Sequence, residues 1–289
     1  MFIFRKNSHE VNPARLCNPH FKRTLQKKKR ISMAKSILSE TPTFDYTENS
    51  DYFNPEAFTE LVANRRSCRI YSDEKIPEDV MNKCLDLALL APNSSNMQPW
   101  EFYWVRSAEK RELLTSYCLD QNTVKTAAEM IVVVARRDTW KRNSQLMLDA
   151  FEKQEMKAPD SAIMYYKKIA PLAYNQGLFG WLGMVKRIVL NLIAIKKPMV
   201  RQPKSIADMR VWSNKSTALA CENLMLAFRA YGYDTCPIEG LDQRRVRKML
   251  NLPYGKAEVC MAISVGKRTE NGIYGPRIRF DRDLFVKEV

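Results

Sequence analysis

From about residue 51 onward, apolar positions recur at helical spacing in some stretches and run together in others; residues 1–50 show neither pattern. A helix is predicted from Pro55 to Asn64, ahead of Arg65-Arg66-Ser67-Cys68-Arg69. The next begins at Pro77, which suits a first helical turn, and Glu78 and Asp79 suit the positive end of the helix dipole. Val80, Cys84, Leu85, Leu87 and Ala88 then form a predicted buried face that stops before Pro92. Glu101–Arg106 reads as a strand. Met130–Ala135 is apolar throughout and belongs in the middle of a sheet. Residues 144–175 read as helical. Ser213 or Ser216 is the predicted cap of a helix reaching Tyr231, with Gly232 just past its end and Leu219, Leu224, Met225 and Phe228 as its apolar stripe. Tyr233–Cys236 reads as a short extended link, Pro237-Ile238-Glu239-Gly240 as a turn, Asp242–Leu250 as a helix and Ala257–Val265 as a long last strand. Helices mixed with a few strands, without an internal repeat, define an α+β class with helices packed around one central sheet.

The most hydrophobic stretch is 178–195, LFGWLGMVKRIVLNLIAI. Lys186 and Arg187 interrupt it, so it falls short of the ~20 uninterrupted apolar residues that span a bilayer. A buried helical hairpin or a lid helix is the expected form. The alternative is an interfacial segment, because Lys196, Lys197, Arg201 and Lys204 follow directly.

Composition narrows the chemistry. The chain has 289 residues, 45% of them apolar, enough for one large domain or two small ones. Its net charge is +15; residues 1–32 hold nine Lys/Arg and one Glu, so they carry +8 and the rest +7. A basic surplus suits nucleic acid, an anionic membrane or an anionic cofactor. RNA recognition calls for aromatics interleaved with the basic residues, which the tail lacks, so no nucleic-acid partner is expected. Residues 1–50 are expected to be a basic, disordered tail without a function of its own, with Met33 as an alternative start, and 51–289 to be the domain. Phe2-Ile3-Phe4 is too short for a signal sequence. Seven cysteines, an odd number without a C-x-x-C pair, read as reduced thiols in a cytoplasmic protein. The two histidines, His9 and His20, lie in the tail, which removes histidine-dependent nucleophiles and histidine-ligated zinc from the folded part; no metal site is expected. No two of the nine glycines are one residue apart, which excludes the G-x-G-x-x-G dinucleotide fingerprint.

Three clusters carry candidate chemistry. Ala91-Pro92-Asn93-Ser94-Ser95-Asn96-Met97-Gln98-Pro99-Trp100 is stiffened by two prolines and offers closely spaced donors and acceptors to a flat polar ligand. Arg65-Arg66-Ser67-x-Arg69 and Arg277-x-Arg279 present guanidinium forks, which match phosphate oxygens bidentately.

Taken in order, the RRSxR start, the A-P-x-S-x-N-x-Q-P-W loop equivalent at 91–100, the D-x-x-P-x-E-G turn at 234–240 and the Arg277-x-Arg279 tail resemble the nitroreductase superfamily of FMN-dependent oxidoreductases, over about Phe53 to Phe280 with a variable middle. The resemblance implies a central, mostly antiparallel sheet surrounded by helices in an intertwined homodimer. It implies FMN, with Arg65, Ser67, Arg277 and Arg279 as the phosphate clamp. Arg66 or Arg69 would face the flavin ring, Arg69 being the candidate for the N1/O2 edge, where a cation stabilises the reduced flavin. Glu239 and Gly240 would present a backbone N–H to flavin N5. Pro92, Asn93, Ser94 and Asn96 would reach the flavin of the partner subunit; Asn93 departs from the small serine common there. A further polar contact is expected near Asp120–Asn122. Residues 140–212 would be a variable lid, with Phe179, Trp181 and Met184 as its apolar cover or else ordinary core. The implied reaction is ping-pong hydride transfer from NADH or NADPH to a nitroaromatic, a quinone or another conjugated acceptor, and it needs no side-chain nucleophile. Alternatives are another flavin reaction on the same fold, such as reductive dehalogenation or flavin-consuming chemistry, or a non-enzymatic basic protein binding membrane or RNA. A cytoplasmic location is expected, with 178–204 as a candidate peripheral membrane contact that collects a lipophilic acceptor.

Overall fold

A computed structural model describes residues 53–153 and 158–289. The predicted tail over 1–50, with His9, His20 and Cys17, lies outside the described residues. Helix α1 (Pro55–Asn64) has the predicted bounds: Asn54 Oδ1 accepts the Ala57 N–H at 3.0 Å and Pro55 opens the first turn. Helix α2 (Glu78–Leu89) buries Met81, Cys84 and Ala88. Leu87, predicted on that face, is exposed, because it lies on the far side of Cys84 from Leu85 at 3.6 residues per turn. Strand β1 (Trp100–Trp104), helices α3 (Ala108–Tyr117) and α4 (Asn122–Lys125), and strand β2 (Glu129–Arg136) follow. Next come helix α5 (Trp140–Lys153), then α6 (Asp160–Met164) and α7 (Ala170–Tyr174), joined through a π turn at Tyr165–Ile169. The predicted helical stretch over 144–175 is therefore a set of broken segments, not one helix, and it starts earlier, at Trp140. Helix α8 (Trp181–Ala194), helix α9 (Ile206–Ala230), strand β3 (Asp234–Ile238), helix α10 (Gln243–Met249) and strand β4 (Ala257–Gly266) complete the order.

The strands pair in the order β1-β2-β4-β3, every neighbour antiparallel, which gives the expected α+β fold around an antiparallel sheet. The apolar run in β2 is central and buried, as predicted. Alternation along it feeds two cores. Ile131 and Val133 pack with Ile263, Leu224 and Phe228 on one face. Met130, Val132 and Val134 pack with Leu114, Val246 and Val259 on the other.

Two predictions about this spine need correction. Helix α9 does not start at Ser213 or Ser216. Ser205 caps it, accepting the Asp208 N–H at 3.0 Å. Ser213 and Ser216 belong to its buried stripe with Met209, Trp212, Thr217, Ala220 and Cys221, where small side chains admit close packing on the sheet. Leu219 falls off that stripe and is exposed. Residues 206–212, the end of the expected variable excursion, form the first turns of α9. The second correction concerns 233–240: Asp234–Ile238 is a strand, and only Glu239 and Gly240 turn. Pro237 is tolerated because β3 is an edge strand, where a missing N–H need not break the ladder.

Of the two forms expected for 178–195, the buried helical hairpin is not the one observed. In α8 only Gly183 is buried, and Phe179 just before it is 94% exposed. Phe179, Trp181 and Met184 are not core residues.

Asp234 opens β3 with its side chain 1% exposed; Arg229 Nη1 reaches both its oxygens at 2.9 and 3.0 Å, and Arg268 Nε lies at 3.1 Å. Asp234→Ala leaves two partly exposed guanidiniums facing each other. It is expected to lower stability by about 3 kcal/mol, the low end for a broken buried pair. The denaturant midpoint should fall at unchanged slope.

Candidate functional site

The chain leaves α1 at Arg65, whose φ and ψ of −65° and 120° turn it into an extended strip. That strip runs along the outer edge of β3. Ser67 bridges Thr235 in parallel, and the Cys68 N–H donates to Thr235 O at 3.0 Å. The Arg69 N–H donates to Gly272 O at 2.6 Å. Tyr71 pins the strip's far end: its hydroxyl lies 3.0 Å from Ser264 Oγ, and burial holds its phenol well above the ordinary tyrosine range. Glycine is required at 272, since a Cβ there would sit 2.6 Å from Ile70 O and 3.0 Å from Cys68 Sγ. Close approach at Gly272 is what lays the 273–279 segment against the RRSCR strip.

Between the two lies a cavity of about 290 Å³. Arg65, Arg66, Ser67, Arg69, Arg277 and Arg279 all line it, together with residues 273–276 and Ile278. Arg66 Nη2 donates to Gly275 O at 2.6 Å. Arg277 Nη2 donates to Ala63 O at 2.8 Å and Arg65 O at 2.6 Å, capping the negative end of α1. Arg279 Nη1 donates to Ile278 O at 2.7 Å. Among the described residues, the one carboxylate within ion-pair distance of these five guanidiniums is Glu222, 4.0 Å from Arg65. Desolvation, and then the charges of Arg279, Arg66 and Arg65, push Arg277 below the usual arginine value. Such a lining suits an anion.

The 91–100 loop does not line this cavity. It leads into β1, at the opposite edge of the sheet from β3, about 14 Å away by strand spacing. Ser95, Asn96 and Gln98 are left-handed, with φ of 59°, 46° and 42°. The conformation is held from within and from the helices over 140–174. Asn93 Oδ1 accepts the Gln98 N–H at 2.7 Å, and Asn93 Nδ2 donates to Ala91 O at 3.3 Å. Asn93 thus staples its own loop, which a serine could not reach to do. Ser95 Oγ lies 2.5 Å and 2.9 Å from the Tyr165 and Tyr174 hydroxyls, and the Tyr166 hydroxyl donates to Ser95 O at 2.9 Å. Asn143 Nδ2 donates to Met97 O at 2.6 Å. Pro92, Ser94 and Asn96 are exposed.

Glu239 and Gly240 are exposed at the end of β3 and likewise stand outside the cavity lining. A Cβ at Gly240 would meet only Gln121 Nε2, at 3.8 Å, so nothing within the chain demands glycine there. Gln121 Nε2 donates to Gly240 O at 3.0 Å, and Asn122 Nδ2 lies 3.5 Å from the Tyr274 hydroxyl at the cavity. These contacts tie 121 and 122 to the segments around Gly240 and Tyr274. Gly272 and Tyr274 lie outside the residues singled out from the sequence, whereas Gln121 falls within the expected Asp120–Asn122 stretch. An isolated glycine and a tyrosine in an irregular tail carry no periodic signal, although Tyr274 neighbours the Gly275-Pro276-Arg277 run.

Comparison with known proteins agrees with this architecture. Residues 62–267 match the model of the Nitroreductase family. Among curated proteins, the chain is 27% identical over 227 residues to YdgI of Bacillus subtilis, a provisional NAD(P)H nitroreductase, covering 78% of this chain and 94% of that one. It is 25% identical over 213 residues to Protein DrgA of Synechocystis, covering 73% and 84%. A crystallised Exiguobacterium sibiricum protein in complex with FMN shares the fold, with a TM-score of 0.59 and 23% identity over 80% of this chain and 97% of the other. A nitroreductase-like protein of Streptococcus mutans does so with a TM-score of 0.60 and 21% identity, over 81% and 98%. The chain belongs to the nitroreductase family. By that membership it is an oxidoreductase, and FMN is its cofactor. The donor set fits: a cluster of guanidiniums with almost no acidic partner suits the phosphate of that group.

Ser95→Ala removes the hydroxyl shared by the Tyr165 and Tyr174 phenols. A cost of about 1–3 kcal/mol is expected, with faster amide exchange across residues 92–99. Hydrogen-exchange mass spectrometry reads both.

Proposed function

We propose that this oxidoreductase passes hydride from NADH or NADPH, in ping-pong turnover, to a nitroaromatic, a quinone or a similar conjugated acceptor. The observation that carries the reading is the convergence of guanidiniums from both ends of the domain on one cavity. Bound FMN would supply the hydride chemistry, taking the hydride from the nicotinamide and releasing it to the acceptor. The protein's part is to bind, orient and shield. Arg65 and Arg279 would clamp the phosphate, with the Ser67 hydroxyl as a further donor. Arg277 would serve less as a ligand than as the tie that holds the tail to α1, since its Nη2 is spent on two carbonyls. Arg69 is the cation proposed for the N1/O2 edge of the ring. Arg66 would hold the 275 backbone in place. The open face of Gly240 leaves room for a ring to approach the backbone of Glu239 and Gly240.

The site would be completed by a second copy. Pro92, Asn93, Ser94 and Asn96 cannot meet their own chain's arginine cavity from the other edge of the sheet, which supports their supply to the partner's flavin. Helix α1 has no buried residue and exposes Phe58 and Val62, and the tail exposes Ile278, Phe280 and Phe285. Apolar surface of that extent favours an intertwined homodimer. Free, mostly buried cysteines support a reducing, cytoplasmic setting.

The purified protein is expected to be yellow and to release FMN on denaturation. Arg65→Ala or Arg279→Ala should each weaken FMN binding about 10- to 100-fold in a fluorescence titration, the value of a charge-assisted hydrogen bond. A colourless protein that shows no FMN binding at any concentration would end the reading. Shared sites have their own signature. Arg65→Ala and Ser94→Glu chains, each poor in flavin alone, should regain up to one loaded site per dimer when co-expressed. No recovery in the mixed dimer would refute sharing.

A further inference from the structure

Helix α8 is turned inside out relative to an ordinary surface helix. Its inward side is made of Leu182, Gly183, Lys186, Leu190 and Ala194. Gly183 allows close docking, because a Cβ there would lie 2.5 Å from Gln176 Oε1 and 2.7 Å from Lys204 O. Lys186 points its ammonium at the end of α7, donating to Leu172 O, Ala173 O and Asn175 O at 3.1, 3.0 and 2.6 Å. The one lysine in the middle of the helix is therefore spent on the protein, and desolvation lowers its pKa. The outward side carries Trp181, Met184, Ile188, Leu192 and Ile195, spaced as one continuous stripe. Trp181, Ile188 and Leu192 are 52%, 64% and 63% exposed.

The charge around the stripe has one sign. Between Asp160 and Asp208 stand eight Lys/Arg and no Asp or Glu. Apart from Lys186, those at the stripe's ends and flank (Arg187, Lys196, Lys197 and Arg201) are exposed. An apolar face rimmed by cations matches the layered chemistry of an anionic bilayer, with acyl chains beneath phosphates. A symmetric contact between two copies of α8 would bring identical cations together, which disfavours a second copy as the occupant. Among the described residues no single helix is long and apolar enough to cross a membrane; only 160–174 and 178–194 taken together reach that length and composition, and they meet at a 70° bend, whereas the stripe and its cations lie along one face of α8 alone, as an interfacial helix requires.

We propose that the outward face of α8 docks on an anionic lipid surface, with its apolar stripe in the acyl boundary and the flanking cations at the headgroups. This holds whether or not the flavin reading does, and flavin content measured on the same sample keeps the two apart.

The test uses the full chain and vesicles of phosphatidylcholine, with and without phosphatidylglycerol. Flotation should show binding about tenfold stronger or more to the anionic vesicles, weakened by salt. Ile188→Glu with Leu192→Glu, both at exposed positions, should abolish it while leaving the melting curve unchanged. Lipids brominated on the acyl chain should quench tryptophan emission, and Trp181→Phe should remove that quenching. Equal recovery with and without vesicles would overturn the proposal. So would anionic-vesicle binding that survives the double glutamate variant, since the stripe would then be irrelevant. A double variant that leaves vesicle binding intact but lowers the oligomeric state in size-exclusion chromatography would assign the stripe to a second copy instead.

Discussion

Mutual repulsion among guanidinium groups is the constraint on which the site's construction turns. Five arginines around a single cavity, with one carboxylate at the limit of ion-pair distance, are an unfavourable arrangement for an empty protein. The fold holds them there by spending individual N–H groups on backbone carbonyls. Arg66 is tied to Gly275, and Arg277 to Ala63 and Arg65. Each tie fixes a side chain without neutralising it. What results is a positive field that, among the described residues, only Glu222 approaches. Rigid donors preset for an anion bind it with little reorganisation.

The second structural theme is that the lid and the 91–100 loop form one hydrogen-bonded body. Three tyrosines from the π turn and its neighbours meet at Ser95, and Asn143 of α5 holds the Met97 carbonyl. The left-handed residues of the loop persist because the lid over-determines them. Helix α9 connects this body to the sheet. Its first turns pack Met209 and Trp212 into the lid cluster, and its later turns pack Leu224 and Phe228 into the main core. A change in the 140–175 helices therefore has a mechanical route to the 91–100 loop.

Much of the fold could be read from the sequence because its signals are local. The cap and proline of α1, the unbroken apolar run of β2 and the length of β4 each determine their own element. Where the reading slipped, long-range packing outweighed local preference. Ser213 and Ser216 look like caps, but small residues were needed where α9 crosses the sheet. Pro237 looks like a breaker, but it stands on an edge strand. The stretch 178–195 looks like core or a lid helix, and its composition alone could not reveal that Gly183 and Lys186 face inward while Ile188, Leu192 and Ile195 face out. The arginine strip and the Arg277-x-Arg279 tail could be located as motifs, and the structure brings them around one cavity. Gly272, which sets their spacing, was invisible, because its role depends on the atoms of Ile70 and Cys68 brought beside it by the chain's return.

The tie from Arg277 to the end of α1 has a consequence for biosynthesis. Arg277 and Arg65 are 212 residues apart, so the tie joins the end of α1, the first helix among the described residues, to the segment after β4. During vectorial synthesis α1 and the arginine strip emerge early, and they must wait for almost the whole domain before residue 277 clears the ribosome. Until then the strip is an uncompensated run of cations with no tail to shape it. Assembly of the anion pocket is thus necessarily a late event, after the sheet has closed, and nascent chains cut short before that point would fold much of the scaffold yet hold no clamp.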